Sequence, residues 1–438
     1  MAYPRRIRAK EILPQIEEKS AAVMSDPNLN APAQSTRPLR NTAAVIEHAE
    51  KNFQHAVDKG LMNVYGRSTN GRTVFIERGE DAGRDIVDFV RCSYLGLDNH
   101  PDVVSGAITA IQQYGSLHWS CARTRLNFGL IGDLEDDLSD LLDARVITYS
   151  SVLAANMGAM PLLASGNLTD GQKPLMVFDQ FAHGTLAFHK PVAAEETRVV
   201  TIPHNDLDAL ERLCRGNDVV AYICDGVYSM GGAAPVDELR QLQARYGLFL
   251  YIDDAHGISL FGQQGEGYAR SHVGGALGDR TIIAASLGKG FGASGGLLML
   301  GTQRQEFLFR SFAIAHAFSA SPNLAAIGGA LASARLHRTS ELADRQRKLW
   351  YNTRLFDSIV PTAQKGETLP IRRVEIGDEQ DAISAARVLL DAGHYVSAIF
   401  FPTVARGKGG LRICVTAGHS EEEVEQVARA LLQILPAH

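Results

Sequence analysis

The chain has 438 residues, 45% of them hydrophobic and 21% charged, with a formal net charge of −6. This is globular composition, long enough for one large core and a second, smaller domain. It excludes whole-chain attraction to nucleic acid or an anionic membrane, and no apolar run approaches the roughly 20 residues of a membrane helix.

The start, "MAYPRRIRAKEILPQIEEKS", has no apolar stretch behind its basic residues, so no secretory signal is expected. Residues 1 to about 60 form a polar, helical lead-in, interrupted by the loop-like "SDPNLNAPAQSTRP". The next stretch, "NTAAVIEHAEKNFQHAVDKG", predicts an amphipathic helix capped by Asn41 and closed by Gly60. From about 100 to 335, apolar runs alternate with helical patterns. "KPLMVFD", "TRVVTIP", "DVVAYICD", "GLFLYIDD", "RTIIAAS" and "GGLLMLG" are dense in β-formers, and "LDALERLCR" and "VDELRQLQARYG" are helix-like. Continuous rather than alternating apolar strands suggest a sheet covered on both faces. Strand–helix alternation then predicts a mostly parallel α/β sheet with its ligand site beyond the strands' carboxyl ends. After about 335 a long polar helix, "TSELADRQRKLWYNTRLFDSIV", leads to strands near "PIRRVEI", "HYVSAIFF" and "GLRICVTAG". A last helix opens at Ser420 with Glu423 in capping-box spacing. Three segments are expected: an N-terminal helical segment with opening strands (1–99), a large domain (100–335) and a small α+β domain (336–438). The five cysteines, Cys92, Cys121, Cys214, Cys224 and Cys414, form no C-x-x-C pair, as expected for reduced thiols in a cytoplasmic protein without a metal site.

One lysine, Lys289, sits among five glycines in "AASLGKGFGASGG". A P-loop is excluded: Ile283 stands where the first glycine belongs, and Gly290 where Ser or Thr should follow the lysine. A dinucleotide fingerprint lacks its early strand–turn–helix context. A third use of a lysine is a Schiff base with pyridoxal phosphate (PLP), which also needs a carboxylate beside its pyridine nitrogen. Asp253 and Asp254 offer one at a strand end, with His256 close behind.

"YIDDAHG" followed by "SLGKGFGASGG" resembles the α-oxoamine synthases of the fold-type I PLP-dependent transferases. That family includes aminooxononanoate and aminolevulinate synthases, 2-amino-3-ketobutyrate CoA ligase and serine palmitoyltransferase. "SYLGLDNHPDV", "FAHGTL", "IPHND", "DGVYSMGGAAPVDEL" and "GLRICVTAGHS" continue the resemblance in order over roughly residues 85–430. It implies that Lys289 forms the Schiff base, that Asp253 rather than Asp254 pairs with the pyridine nitrogen, and that His256 bonds the phenolic oxygen. His183 would stack on the ring, Ser229 would support the cofactor or the substrate carboxylate, and Ser286 would donate to the phosphate. Arg412 would hold the substrate α-carboxylate, as a guanidinium can with two parallel hydrogen bonds. Gly288, Gly290 and Gly292 would let the backbone pass tightly around the lysine.

Departures from the family bear on the substrate. Ser93 replaces the Asn usual before "YLGL", and "SSVLAAN" places Val152 and Leu153 in the cofactor turn, where backbone amides would still meet phosphate. "HWSCARTR" adds Arg123 and Arg125 in place of a Gly-rich segment. Ala320 replaces a threonine supplied by a second subunit, leaving Ser319 or Ser321 as donors. These changes bring the chain toward the autoinducer synthases and secondary-metabolite members. The resemblance implies a homodimeric, decarboxylating C-acyltransferase that joins an amino acid to an acyl thioester of CoA or a carrier protein. The alternatives are transamination, lyase or other carbanion chemistry on the same cofactor, and a non-enzymatic cofactor-binding regulator.

Overall fold

The computed structural model describes residues 39–119 and 122–435. The loop-like "SDPNLNAPAQSTRP", the lead-in before it and Cys121 lie outside the described residues. Three short strands come first: β1 (Tyr65–Asn70), β2 (Thr73–Arg78) and β3 (Asp85–Asp88). The large sheet follows, made of β4 (Arg145–Tyr149), β5 (Leu175–Asp179), β6 (Val199–Ile202), β7 (Val220–Asp225), β8 (Phe249–Asp253), β9 (Thr281–Ser286) and β10 (Gly296–Leu300). Its order is β4-β10-β9-β8-β7-β5-β6. Neighbours from β5 to β9 pair in parallel, while β10 runs antiparallel to both β9 and β4.

The continuous apolar runs have the expected cause. Along each central strand alternate side chains enter opposite clusters: Ile252, Ile283 and Leu297 pack on one face, Tyr251, Ile282 and Leu298 on the other. Both clusters are covered, so neither face of a strand can be polar. The six predicted strands all lie in this sheet. The seventh, β4, was not predicted; it is an edge strand that starts at the exposed Arg145.

Helix ends follow their capping residues. The Asn41 side chain accepts from Ala44 N at 3.0 Å and opens Thr42–Asp58; Lys59 is the C-cap, and Gly60 follows at φ +67°. Ser420 and Glu423 form the reciprocal capping box of Glu421–Ile434.

The remaining strands, β11 (Ile371–Gly377), β12 (His394–Tyr395), β13 (Ser397–Ile399) and β14 (Gly409–Cys414), build a three-stranded sheet β11-β14-β13 and complete a four-stranded one, β1-β2-β3-β12. Because β12 pairs with β3, the chain's first and last thirds share a core: Ala56, Ile76 and Phe89 cluster with Phe356, Ile383 and Leu411. Buried Arg72 and Asp88 pair at 2.8 Å beneath the turn that carries residues 90–98. Tyr94 in that turn lies 2.7 Å from His256, just after β8, and Leu97 packs against Gly292, after β9, so the turn sits at the carboxyl ends of these strands.

Candidate active site

Parallel strands end in register, so β7 and β8 deliver two carboxylates side by side: Asp225 is the β-partner of Asp253. Asp253 is 4% exposed. Its Oδ2 accepts from Asn156 Nδ2 at 2.9 Å and its Oδ1 from Ala255 N at 3.1 Å. Asn156, in the helix Val152–Ala164, also donates to Thr185 Oγ1 at 3.1 Å and accepts from the Tyr251 hydroxyl at 2.7 Å. Thr185 reaches His183 Nδ1 through its hydroxyl (2.9 Å) and its backbone N–H (3.2 Å). Since Nδ1 accepts from that N–H, the neutral His183 ring carries its proton on Nε2. Asp225 Oδ1 accepts from His183 N at 2.9 Å, which fixes the start of the loop. Burial and the adjacent Asp253 push the Asp225 carboxyl well above the ordinary carboxylate range. Asp254 takes no part: it is fully buried, accepts from Ala269 N at 3.0 Å, and its carboxylate packs against Gly226, Gly257 and Gly267.

Lys289 Nζ lies 2.8 Å from His256 Nε2, and His256 Nδ1 lies 2.7 Å from the Tyr94 hydroxyl. Burial lowers the Lys289 pKa, and the amine pairs with no carboxylate among the described residues. His256 is held well below the ordinary imidazole range by burial and by the cations of Lys289 and Arg412. It therefore stays neutral beside the amine. His183 is lowered too, by burial first, against the opposing pull of Asp253.

Two glycines of the lysine loop are sterically required. A Cβ on Gly290 would lie 2.6 Å from Leu260 Cδ1 and 2.8 Å from Ile258 O. One on Gly292 would lie 2.3 Å from Leu97 Cβ, at φ +75°. Gly288 departs from expectation: its Cβ would meet nothing nearer than 3.8 Å, and its φ is not positive. Its N–H donates to Ser286 Oγ at 3.2 Å, which orients that hydroxyl at the end of β9.

Arg412 projects from β14 and is 7% exposed. Its Nε donates to the Ser229 carbonyl at 2.7 Å and its Nη2 to Cys92 Sγ at 3.5 Å. Ser229 thus meets Arg412 through its backbone. Ser93 is turned elsewhere, its hydroxyl donating to Asp98 Oδ1 at 2.6 Å; the neighbouring Cys92 faces the guanidinium instead. Val152 and Leu153 open the helix that Ser151 caps, Ser151 Oγ accepting from Ala154 N. Ser319 and Ser321 follow the short helix Ile314–Ala317, and Ser321 bonds only its neighbour Pro322. Among the described residues no hydrogen bond ties either serine to Lys289 or Asp253. Arg123 is buried in an ion pair with Glu135 at 2.8 Å, whereas Arg125 is exposed.

Sequence reasoning passed over Asn156, Thr185, Tyr251, Tyr94, Asp225 and Cys92. All but Cys92, which was counted only among the thiols, lay in stretches already singled out ("AAN", "FAHGTL", "YIDDAHG", "SYLGL" and "DGVYSMGG"), but none was given a role.

The donor set fits PLP. It combines a half-buried primary amine without a carboxylate partner among the described residues, a buried carboxylate that a protonated ring nitrogen would meet, and an imidazole held in one tautomer. Asp253, Lys289, His183 and Ser286, with the amides of Val152 and Leu153, are the residues that would hold it.

Comparison with known proteins shows what the chain and its fold are similar to. Residues 178–431 match the family described as aminotransferase class I and II. The 8-amino-7-oxononanoate synthase of Alkaliphilus metalliredigens (strain QYMF) is 30% identical over 366 residues, 80% of this chain and 88% of that one. That of Maricaulis maris (strain MCS10) is 31% identical over 404 residues, 91% and 98% of the two chains. Among solved structures, a serine palmitoyltransferase variant from S. paucimobilis with bound PLP–myriocin aldimine superposes with a TM-score of 0.77 at 21% identity. It covers 90% of this chain and 98% of that one.

Proposed function

The chain belongs to the class I and II aminotransferase family, in its α-oxoamine synthase branch, and on that premise we propose that it is a PLP-dependent C-acyltransferase. It condenses an amino acid with an acyl thioester, with loss of CO2, to give an α-aminoketone in a biosynthetic pathway. The observation that carries this reading is Lys289 Nζ set against neutral His256 at 2.8 Å, within the cluster that also holds Asp253 and His183.

When bound, PLP supplies an aldehyde for amines and a protonated ring that withdraws electrons from the substrate α-carbon. The protein's residues do the rest. Arg412, fixed by the Ser229 carbonyl, orients the amino-acid carboxylate. Lys289 Nζ, its proton affinity reduced by burial, takes the α-proton and later returns one. His256 accepts no proton itself; it holds the amine in place and is held in turn by Tyr94. Asn156 fixes the Asp253 carboxylate so that it does not reorganise when charge develops.

Two copies are taken to form the working unit, at a cytoplasmic site. Phe312, Ile314 and the 78%-exposed Phe318 support the pairing of two copies, since large apolar side chains exposed near Ser319 favour burial against another chain. The acyl chain, and CoA against carrier protein, are left to a substrate panel. Incubating the PLP-loaded protein with amino acids and acyl-CoA tests the chemistry: thiol and CO2 released in equal amounts support acyl transfer. Keto-acid formation without any acyl donor would replace it with transamination.

A further inference from the structure

Arg412 poses a charge problem. The residue is 7% exposed, yet no carboxylate among the described residues lies within ion-pair distance of its guanidinium, and its Nη1 makes no hydrogen bond there. A buried cation without a counter-ion costs several kcal/mol. Its one side-chain partner is the sulfur of Cys92, 3.5 Å from Nη2. Cys92 is partly exposed, whereas Cys414, two residues beyond Arg412 on the same face of β14, is fully buried.

We propose that Cys92, as a thiolate, is the resident counter-ion of Arg412, and that the carboxylate of the amino-acid substrate takes its place there. This rests on Arg412 as the carboxylate site of the proposed function. The surroundings suit a thiolate. The Cys414 thiol, the Arg412 guanidinium and the Tyr94 hydroxyl stand beside the Cys92 sulfur and lower its pKa well below the ordinary thiol range. Lys289 adds a positive charge from the loop after β9, and Asp88 a negative one that reaches Cys414. One contact favours the protonated thiol, the 4.0 Å approach of Cys92 Sγ to the Val90 carbonyl at the limit of a sulfur hydrogen bond; the remaining directions suit a thiolate. If Tyr94 points its hydroxyl at sulfur, it accepts from His256 Nδ1–H, which leaves His256 Nε2 to accept from Lys289. The substrate arginine and the catalytic amine are then joined through Cys92, Tyr94 and His256.

Displacement has a proton balance. Once the substrate carboxylate occupies the guanidinium, the thiolate loses its partner and takes up one proton from solvent. Carboxylate binding therefore weakens as pH rises, by up to about tenfold per pH unit. This holds between the lowered thiol pKa of the free site and the higher one of the complex. The amino acid's own amine titrates in the opposite sense, so the effect is read as a difference between the protein and Cys92→Ser.

The thiolate is also reactive: its sulfur displaces iodide from iodoacetamide, forming one S–C bond. The test is alkylation of the PLP-loaded protein at about pH 6.5, roughly two units below an ordinary thiol pKa, with Cys92 followed by peptide mass spectrometry. The expected result is labelling of Cys92 about tenfold or more faster than of an unactivated thiol. Propionate, a carboxylate without an amine, should slow it, and Arg412→Gln should slow it similarly while near-native circular dichroism shows the variant folded. Labelling of Cys92 no faster than of free cysteine, or unaffected by both propionate and Arg412→Gln, overturns the proposal. In Cys92→Ser the propionate Kd should lose its pH dependence; a slope unchanged from the parent protein also overturns it. None of these readouts requires acyl transfer, so failure of the proposed function would show separately, as absent thiol release with normal labelling.

Discussion

Asn156 donates to both Asp253 and Thr185, the residue whose backbone N–H settles which nitrogen of His183 carries the proton. Asn156→Ala removes a hydrogen bond to a charged group, about 1.5–3 kcal/mol, so kcat/KM should fall about 10–100-fold. Steady-state kinetics at matched cofactor occupancy checks this, and a change below about twofold would remove Asn156 from the site. Arg412→Lys should raise the amino-acid KM more than it lowers kcat, because a point charge cannot reproduce the planar fork. Lys289, Asp253 and His256 were legible because each lies in a short stretch whose residue types are tied to one chemistry. Asn156 was not: 97 residues separate it from Asp253, and Tyr94 is 162 from His256. Their roles exist only where the fold brings distant segments together.

The lysine loop is shaped by its neighbours rather than by its glycine count. Gly292→Ala forces a left-handed φ on alanine, about 1–3 kcal/mol, and drives a methyl into Leu97. Gly288→Ala makes only ordinary contacts, none nearer than 3.8 Å. Denaturant midpoints should therefore fall clearly for Gly292→Ala and stay nearly level for Gly288→Ala; equal losses would contradict the loop geometry. Counting glycines in "SLGKGFGASGG" could not separate these positions, because the obstructing atoms belong to Leu97, Leu260 and Ile258. The strands were easier. With both faces of the large sheet buried, β5 to β10 appear as apolar runs, whereas β4 starts from an exposed arginine at an edge and carries a weaker signal. Helix starts at Asn41 and Ser420 were legible because capping is local chemistry.

At the scale of the molecule, buried imidazoles set the response to acid. Burial holds His316 and His337 at about 4 and His419 at about 3, and lowers His183, His189, His256 and His394 as well. A histidine whose folded pKa is depressed binds its proton more readily when unfolded. The stability it contributes is complete above the unfolded value of about 6.5 and is lost as pH falls toward the folded value. Asp225 and Asp254, pushed upward, act in the opposite sense but are fewer. Urea midpoints should drop between about pH 7 and pH 5; a flat or rising profile would contradict the burial of these rings. The joining of the first and last thirds of the chain was not legible, since Arg84 bonds Leu390 across 306 residues and nothing local announces it.

All of the proposed chemistry requires that Lys289 be the amine that carries PLP. The most direct measurement is borohydride reduction of the PLP-loaded protein followed by peptide mapping. The cofactor should stay covalently attached to the peptide containing Lys289, and Lys289→Ala should retain none. Attachment at another lysine, or an unmodified Lys289 in a protein with full cofactor absorbance, would contradict it.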